Sequence, residues 1–172
     1  MSRSWWIVAV ALVAAACSGP TAVAPDALEL SLAGASERNF VARLSGSQEV
    51  PANTSRARGV ATFQVSGDGT ELAYRLIVAN IENVRMAHIH LAPAGMNGPV
   101  VAWLYPDGPP PQPIPGRTQG VLAEGTITAA SLVGPLLGQD LQDLIDEVLA
   151  GNTYVNVHTD QFPPGEVRGQ IR

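Results

Sequence analysis

Through most of this chain, short segments alternate apolar and polar residues with a period of two, and turn residues separate them. Gly59–Ser66 sets Ala61, Phe63 and Val65 on one side, and Glu71–Ala79 sets Leu72, Tyr74, Leu76 and Val78 on one side. That period belongs to a half-buried β-strand, because successive side chains in a strand point to opposite faces. Asn39–Leu44, Val100–Tyr105 and Val121–Thr128 read as further strands, and Gly67-Asp68-Gly69-Thr70 reads as a hairpin turn. Asn80 to Asn83 reads as another turn, feeding a strand through His88 and His90. Two strands close the chain, Thr153–Thr159 and Glu166–Ile171.

One segment breaks the period. Leu141, Leu144, Ile145, Val148 and Leu149 recur at helical spacing, with Asp140 at the start and Gly151 just past the end. The stretch Tyr105–Gly120 carries six prolines and is expected to be an exposed, stiff loop. With 17 glycines, 14 prolines and 5% aromatic residues, the composition suits short strands and turns. The expected fold is all-β: a Greek-key-like β-sandwich or flattened barrel of seven or eight strands, with one inserted α-helix at about 140–150.

All three histidines fall in two of the alternating segments. His88 and His90 share one face of their strand, opposite Ala87, Ile89 and Leu91. In the later strand Val155 and Val157 face the core, which turns Tyr154, Asn156 and His158 outward. The last strand turns Glu166, Arg168 and Gln170 the same way. If these strands are neighbours, one outward polar face gathers three imidazoles, a carboxylate, a guanidinium and two amides. Imidazole suits copper and zinc, and three protein ligands leave a position open. The expectation is a surface site for one copper or zinc ion on His88, His90 and His158. Glu166 is a candidate fourth ligand, Asn156 and Gln170 are candidates for fixing the ring tautomers, and Tyr154 is a further candidate neighbour of the ligands or of an anion. Arg168 could hold an anion beside the metal. The same residues would also satisfy one another as a metal-free polar cluster, or contact a ligand directly. Met86 and Met96 read as gap fillers rather than soft copper ligands. No nucleophile elbow or phosphate-cradling glycine motif is present. At a net charge of −5 without a basic run, nucleic-acid binding is not expected.

The N-terminus addresses the chain. Arg3 precedes an apolar run from Trp5 to Ala16 of about a dozen residues, where roughly 20 are needed to span a bilayer. Residues 1–16 therefore read as a signal peptide, cleaved after Ala14-Ala15-Ala16. Leu12-Val13-Ala14-Ala15-Ala16-Cys17 resembles the lipobox of bacterial lipoproteins, with Ala14 where that family usually has Leu. Cys17 is the sole cysteine, so it is free of intrachain disulfides and is the expected lipidation site. Residues 17–37 read as a lipidated tether, and 38–172 as the domain. Ser18, rather than Asp, after the cysteine resembles lipoproteins sorted to the outer membrane. The expected address is the bacterial envelope, with the membrane as one partner and a protein or small anion as another.

Four stretches resemble the CHRD domain, named for chordin: Leu44–Pro51, Ala87–His90 with Gly95–Val100, Gly151–Thr159 and Gly165–Gln170. Ala52 departs from the family, which often has a second proline there. The resemblance spans 40–172 and implies binding rather than catalysis, hence a non-enzymatic binding module. A fainter likeness is to the copper/zinc superoxide dismutases, with His88, His90, His158 and Arg168 in corresponding places. That likeness lacks a metal-bridging histidine and a zinc loop, and implies at most a mononuclear copper oxidoreductase. A metal-free adhesion or scaffold domain is the third alternative.

Overall fold

The computed structural model describes residues 39–172. The signal segment, Cys17 and the tether lie outside the described residues. Seven strands follow in chain order: β1 (Asn39–Ser45), β2 (Arg58–Val65), β3 (Leu72–Leu91), β4 (Val100–Tyr105), β5 (Ile114–Ile127), β6 (Thr153–Thr159) and β7 (Val167–Gln170). Among the described residues one α-helix, α1 (Leu141–Leu149), is inserted before β6. All the pairings are antiparallel, in the order β2-β1-β7-β6-β3-β4, with β5 also on β3. Because β2 pairs with β3 as well as β1, the path β1-β2-β3-β6-β7 returns to β1 and the sheet closes. Of the two architectures expected, the fold is the barrel.

Strand β3 organises the rest. It runs unbroken for 20 residues, so the turn expected at Asn80–Asn83 is instead the middle of a strand. Fully extended it would span roughly 65 Å, so it must bend to stay on the barrel. The bend falls where Asn80 and Asn83 adopt left-handed backbone angles, φ 55° and 53°. Asparagine tolerates that region better than other side-chain-bearing residues. Each such residue slips the inward phase, so the buried positions run Leu76, Val78, Ile81, Val84, Ala87, Ile89. The first half of β3 pairs with β2 and β5, the second half with β6 and β4.

Two other expectations change. The proline-rich segment is a loop only up to Pro113, and β5 already begins at Ile114. Pro115 is tolerated there because β5 pairs with β3 alone, leaving its other edge free of ladder bonds. Leu149, read as part of the helical apolar stripe, is half exposed, while Leu141, Leu144, Ile145 and Val148 are buried in the core. Helix α1 starts where Asp140 N–H donates to Asp143 Oδ2 at 2.9 Å, a reciprocal cap. It stops before Gly151, whose φ of 74° suits a residue without Cβ. No helix among the described residues is long and apolar enough to cross a membrane.

Candidate metal centre

Strands β3 and β6 are direct neighbours, with His88 opposite Asn156, His90 opposite Tyr154 and Met86 opposite His158. The period of two therefore brings all three imidazoles to one patch between the strands. Their ring centroids are 5.1 to 6.1 Å apart. One nitrogen from each ring can be chosen so that all lie within 4.8 Å of one another.

The patch is not on the surface, which corrects the expected surface site. His88, His90 and His158 are 3%, 8% and 6% exposed. Strand β6 is buried on both faces, one against the apolar core and the other beneath loops. The roof is built from backbone carbonyls. His90 Nδ1–H donates to Gly98 O at 2.8 Å, and His158 Nδ1–H donates to Pro163 O at 2.8 Å. A carbonyl only accepts, so both rings carry their proton on Nδ1 and keep a bare lone pair on Nε2. His158 Nε2 in turn accepts from His88 Nδ1–H at 3.2 Å. His88 Nε2 and His90 Nε2 are buried with no partner.

This geometry fits a cation. One nitrogen from each ring lies within 4.8 Å of the others, against the roughly 3.3 Å edge of a tetrahedron around an ion with metal–nitrogen bonds of about 2.0 Å, so the rings need only close slightly around it. Burial, then the neighbouring imidazoles, pushes His88 down to about 3. Burial likewise pushes His90 down to about 4, against the Gly98 carbonyl, and lowers His158. All three are neutral near pH 7, the form that donates a lone pair. Trp103 stands edge-on to His88, ring centroids 4.2 Å apart, and Tyr154 stacks on His90 at 4.8 Å.

The other expected site residues take different posts. Glu166 is not among the clustered ligand atoms: its Oε1 accepts from Ser55 at 2.6 Å and its Oε2 from Thr159 at 2.8 Å. Arg168 does not face an open anion site. It is 2% exposed, lies 3.4 Å over the Tyr154 ring, and donates to Asn97 Oδ1 and to the Met96 and Pro93 carbonyls. It thus fastens the loop that carries Gly98. Gln170 donates to Ala92 O and Gly151 O and so braces loops, while Asn156 donates to Pro164 O and also stands against the His90 ring, whose protonated form it favours. The role of fixing the tautomers belongs to the Gly98 and Pro163 carbonyls, which no side-chain pattern reveals. Gly98 did leave a trace, since a Cβ there would stand 1.9 Å from Leu91 O. Glu49, within the Leu44–Pro51 stretch, was also missed. It is buried, its Oε1 has no partner, and burial outweighs the nearby Arg168 to push it up to about 7.

Fold and site together define a class: a closed antiparallel barrel whose central strands present a buried, neutral group of three imidazoles able to hold one metal ion. The model of the CHRD domain matches residues 40–171, and the chain belongs to the CHRD family. Comparison with curated proteins and with solved structures finds no match.

Proposed function

We propose that this chain is a lipid-anchored binding module of the bacterial cell envelope, without catalytic activity, that holds one copper or zinc ion on His88, His90 and His158. The observation that carries the metal is the set of bare, buried imidazole lone pairs, unpaired at His88 Nε2 and His90 Nε2 beside the 3.2 Å contact between His88 and His158. Leaving such acceptors unpaired costs about 1–3 kcal/mol each, which a bound cation offsets. With three neutral ligands and no carboxylate, cuprous copper suits the patch better than zinc. It adds one charge to a low-dielectric interior rather than two, whereas zinc prefers a fourth donor. The envelope address is supported by the apolar run ending at Cys17.

Burial of the ligand nitrogens favours a carrier or binder over a dismutase. Superoxide would have to reach the ion beneath the loops, and the Arg168 guanidinium is already committed to loop carbonyls. The test is metal analysis of the full chain in detergent after equilibration with copper or zinc. One ion per chain is expected, with affinity at least about 100-fold weaker in His158→Ala. The copper-loaded protein should consume superoxide no faster than that variant. Absence of metal at micromolar concentrations, or equal binding by the variant, would overturn the site; superoxide consumption lost with His158 would establish the oxidoreductase instead.

A further inference from the structure

We infer that Glu49 is the entry ligand through which a metal cation reaches the three histidines; this rests on the metal reading above. The imidazoles are covered by loops, so an ion must pass between them. A cleft of about 280 Å³, lined by Ser47, Glu49, Val50, Ala94, Gly95 and Arg168 among others, opens beside that roof. Glu49 stands in its wall, 7% exposed, with Oε1 fully buried and unpaired. A missing side chain leaves room for it there. A Cβ on Gly165 would lie 2.4 Å from Glu49 Oε1 and 2.8 Å from Asn156 Nδ2.

Asn156 continues the line inward. It stands opposite His88 on the neighbouring strand and next to the His90 imidazole, whose protonated form its side chain favours, and its Oδ1 is buried without a hydrogen bond of normal geometry. From cleft to cluster the unpaired buried atoms are therefore Glu49 Oε1, Asn156 Oδ1, His90 Nε2 and His88 Nε2. Above about pH 7, where Glu49 is ionised, every one is an acceptor. A path for an anion or a neutral polar molecule would need donors; a row of bare lone pairs suits a cation. Of the two guanidiniums that line the cleft, Arg168 attracts the Glu49 carboxylate only at a distance and is tied to the Met96 carbonyl and Asn97, and Arg172 is exposed to solvent.

An entry ligand lowers the barrier in both directions, so removing its charge should slow loading and release together. The experiment is anaerobic stopped-flow mixing of the full chain with cuprous ion supplied as its acetonitrile complex, read by quenching of Trp103 beside His88. Trp103 is the one tryptophan outside residues 1–16, so once that segment is cleaved Trp103→Phe should abolish the signal. Release is read on mixing loaded protein with excess bathocuproine. Glu49→Gln should slow both rates about tenfold, leaving Kd within about twofold, and Glu49→Asp should recover part of the loss. A weakened Kd with unchanged loading rate would make Glu49 a ligand of the bound ion and overturn the entry role. Unchanged rates and Kd would put the route elsewhere and overturn it too. A wild-type chain that takes up no copper would instead remove the metal site itself, and the entry role with it.

Discussion

Burial acts in opposite directions on Glu49 and on the histidines, and the two effects separate by pH. The unfolded chain protonates its histidines as pH falls through about 6.5. In the folded chain His88 resists until about 3 and His90 until about 4. Over that window the unfolded state binds more protons, so acidification costs about 1.4 kcal/mol per pH unit for each such imidazole. For Glu49 the folded state holds its proton up to about 7, against 4.5 for the ordinary carboxyl. Its contribution is complete below 4.5 and is lost as pH rises through 7. Glu49→Gln copies the protonated form, so the metal-free variant should be more stable than wild type at pH 8 by about 1–3 kcal/mol and equal to it near pH 4. Urea denaturation at the two pH values measures this. A variant less stable at pH 8 would mean that the carboxylate is paired rather than stranded.

Strand β3 carries the element-scale lesson, because it holds two of the three histidines and bends before reaching them. Asn83 accepts the Gly116 N–H at 2.8 Å on its side-chain oxygen while holding its left-handed angle. Asn83→Gly loses the hydrogen bond but keeps the angle; Asn83→Ala loses both. The alanine variant should be the less stable of the two by about 1–2 kcal/mol, measured by chemical denaturation. Equal stabilities would show that the left-handed angle is not what the asparagine supplies. The same bend limits what sequence alone conveys. Strict alternation made β2, β6 and the first half of β3 legible almost to the residue, and β4 was legible as a short apolar run after a turn. Between Val78 and Ala87 the inward positions fall three apart, a spacing that no strand template contains, so continuity read as a turn. The convergence of His88, His90 and His158 was legible because each side of the bend keeps its own phase. Their burial was not, since the roof comes from aperiodic loops that act through carbonyls any residue could supply. Glu166 illustrates the limit: it alternates with Arg168, yet its carboxylate goes to Ser55 and Thr159.

For the whole molecule, what matters is that the three ligands sit on strands the barrel cannot release singly. β3 pairs with β2, β4, β5 and β6, and β6 joins it to β7 and so to the closing seam with β1. An ion bridging His88 and His90 on β3 with His158 on β6 spans a junction through which the closed ring runs. Opening that junction breaks the ring, so the binding energy should appear in the global transition rather than in a local one. At a free metal concentration 1,000 times Kd the linkage is about 4 kcal/mol. At roughly 2–4 °C per kcal/mol for a chain of this size, Tm should rise by about 8–16 °C in one cooperative step. His158→Ala, binding at least about 100-fold more weakly, should lose at least about 2.7 of those 4 kcal/mol and with them most of the shift. Calorimetry of the full chain with and without copper reads this directly. A copper-induced gain in hydrogen-exchange protection confined to the loops around Gly98 and Pro163, with Tm unmoved, would show that the ion holds the roof and leaves the barrel as it was.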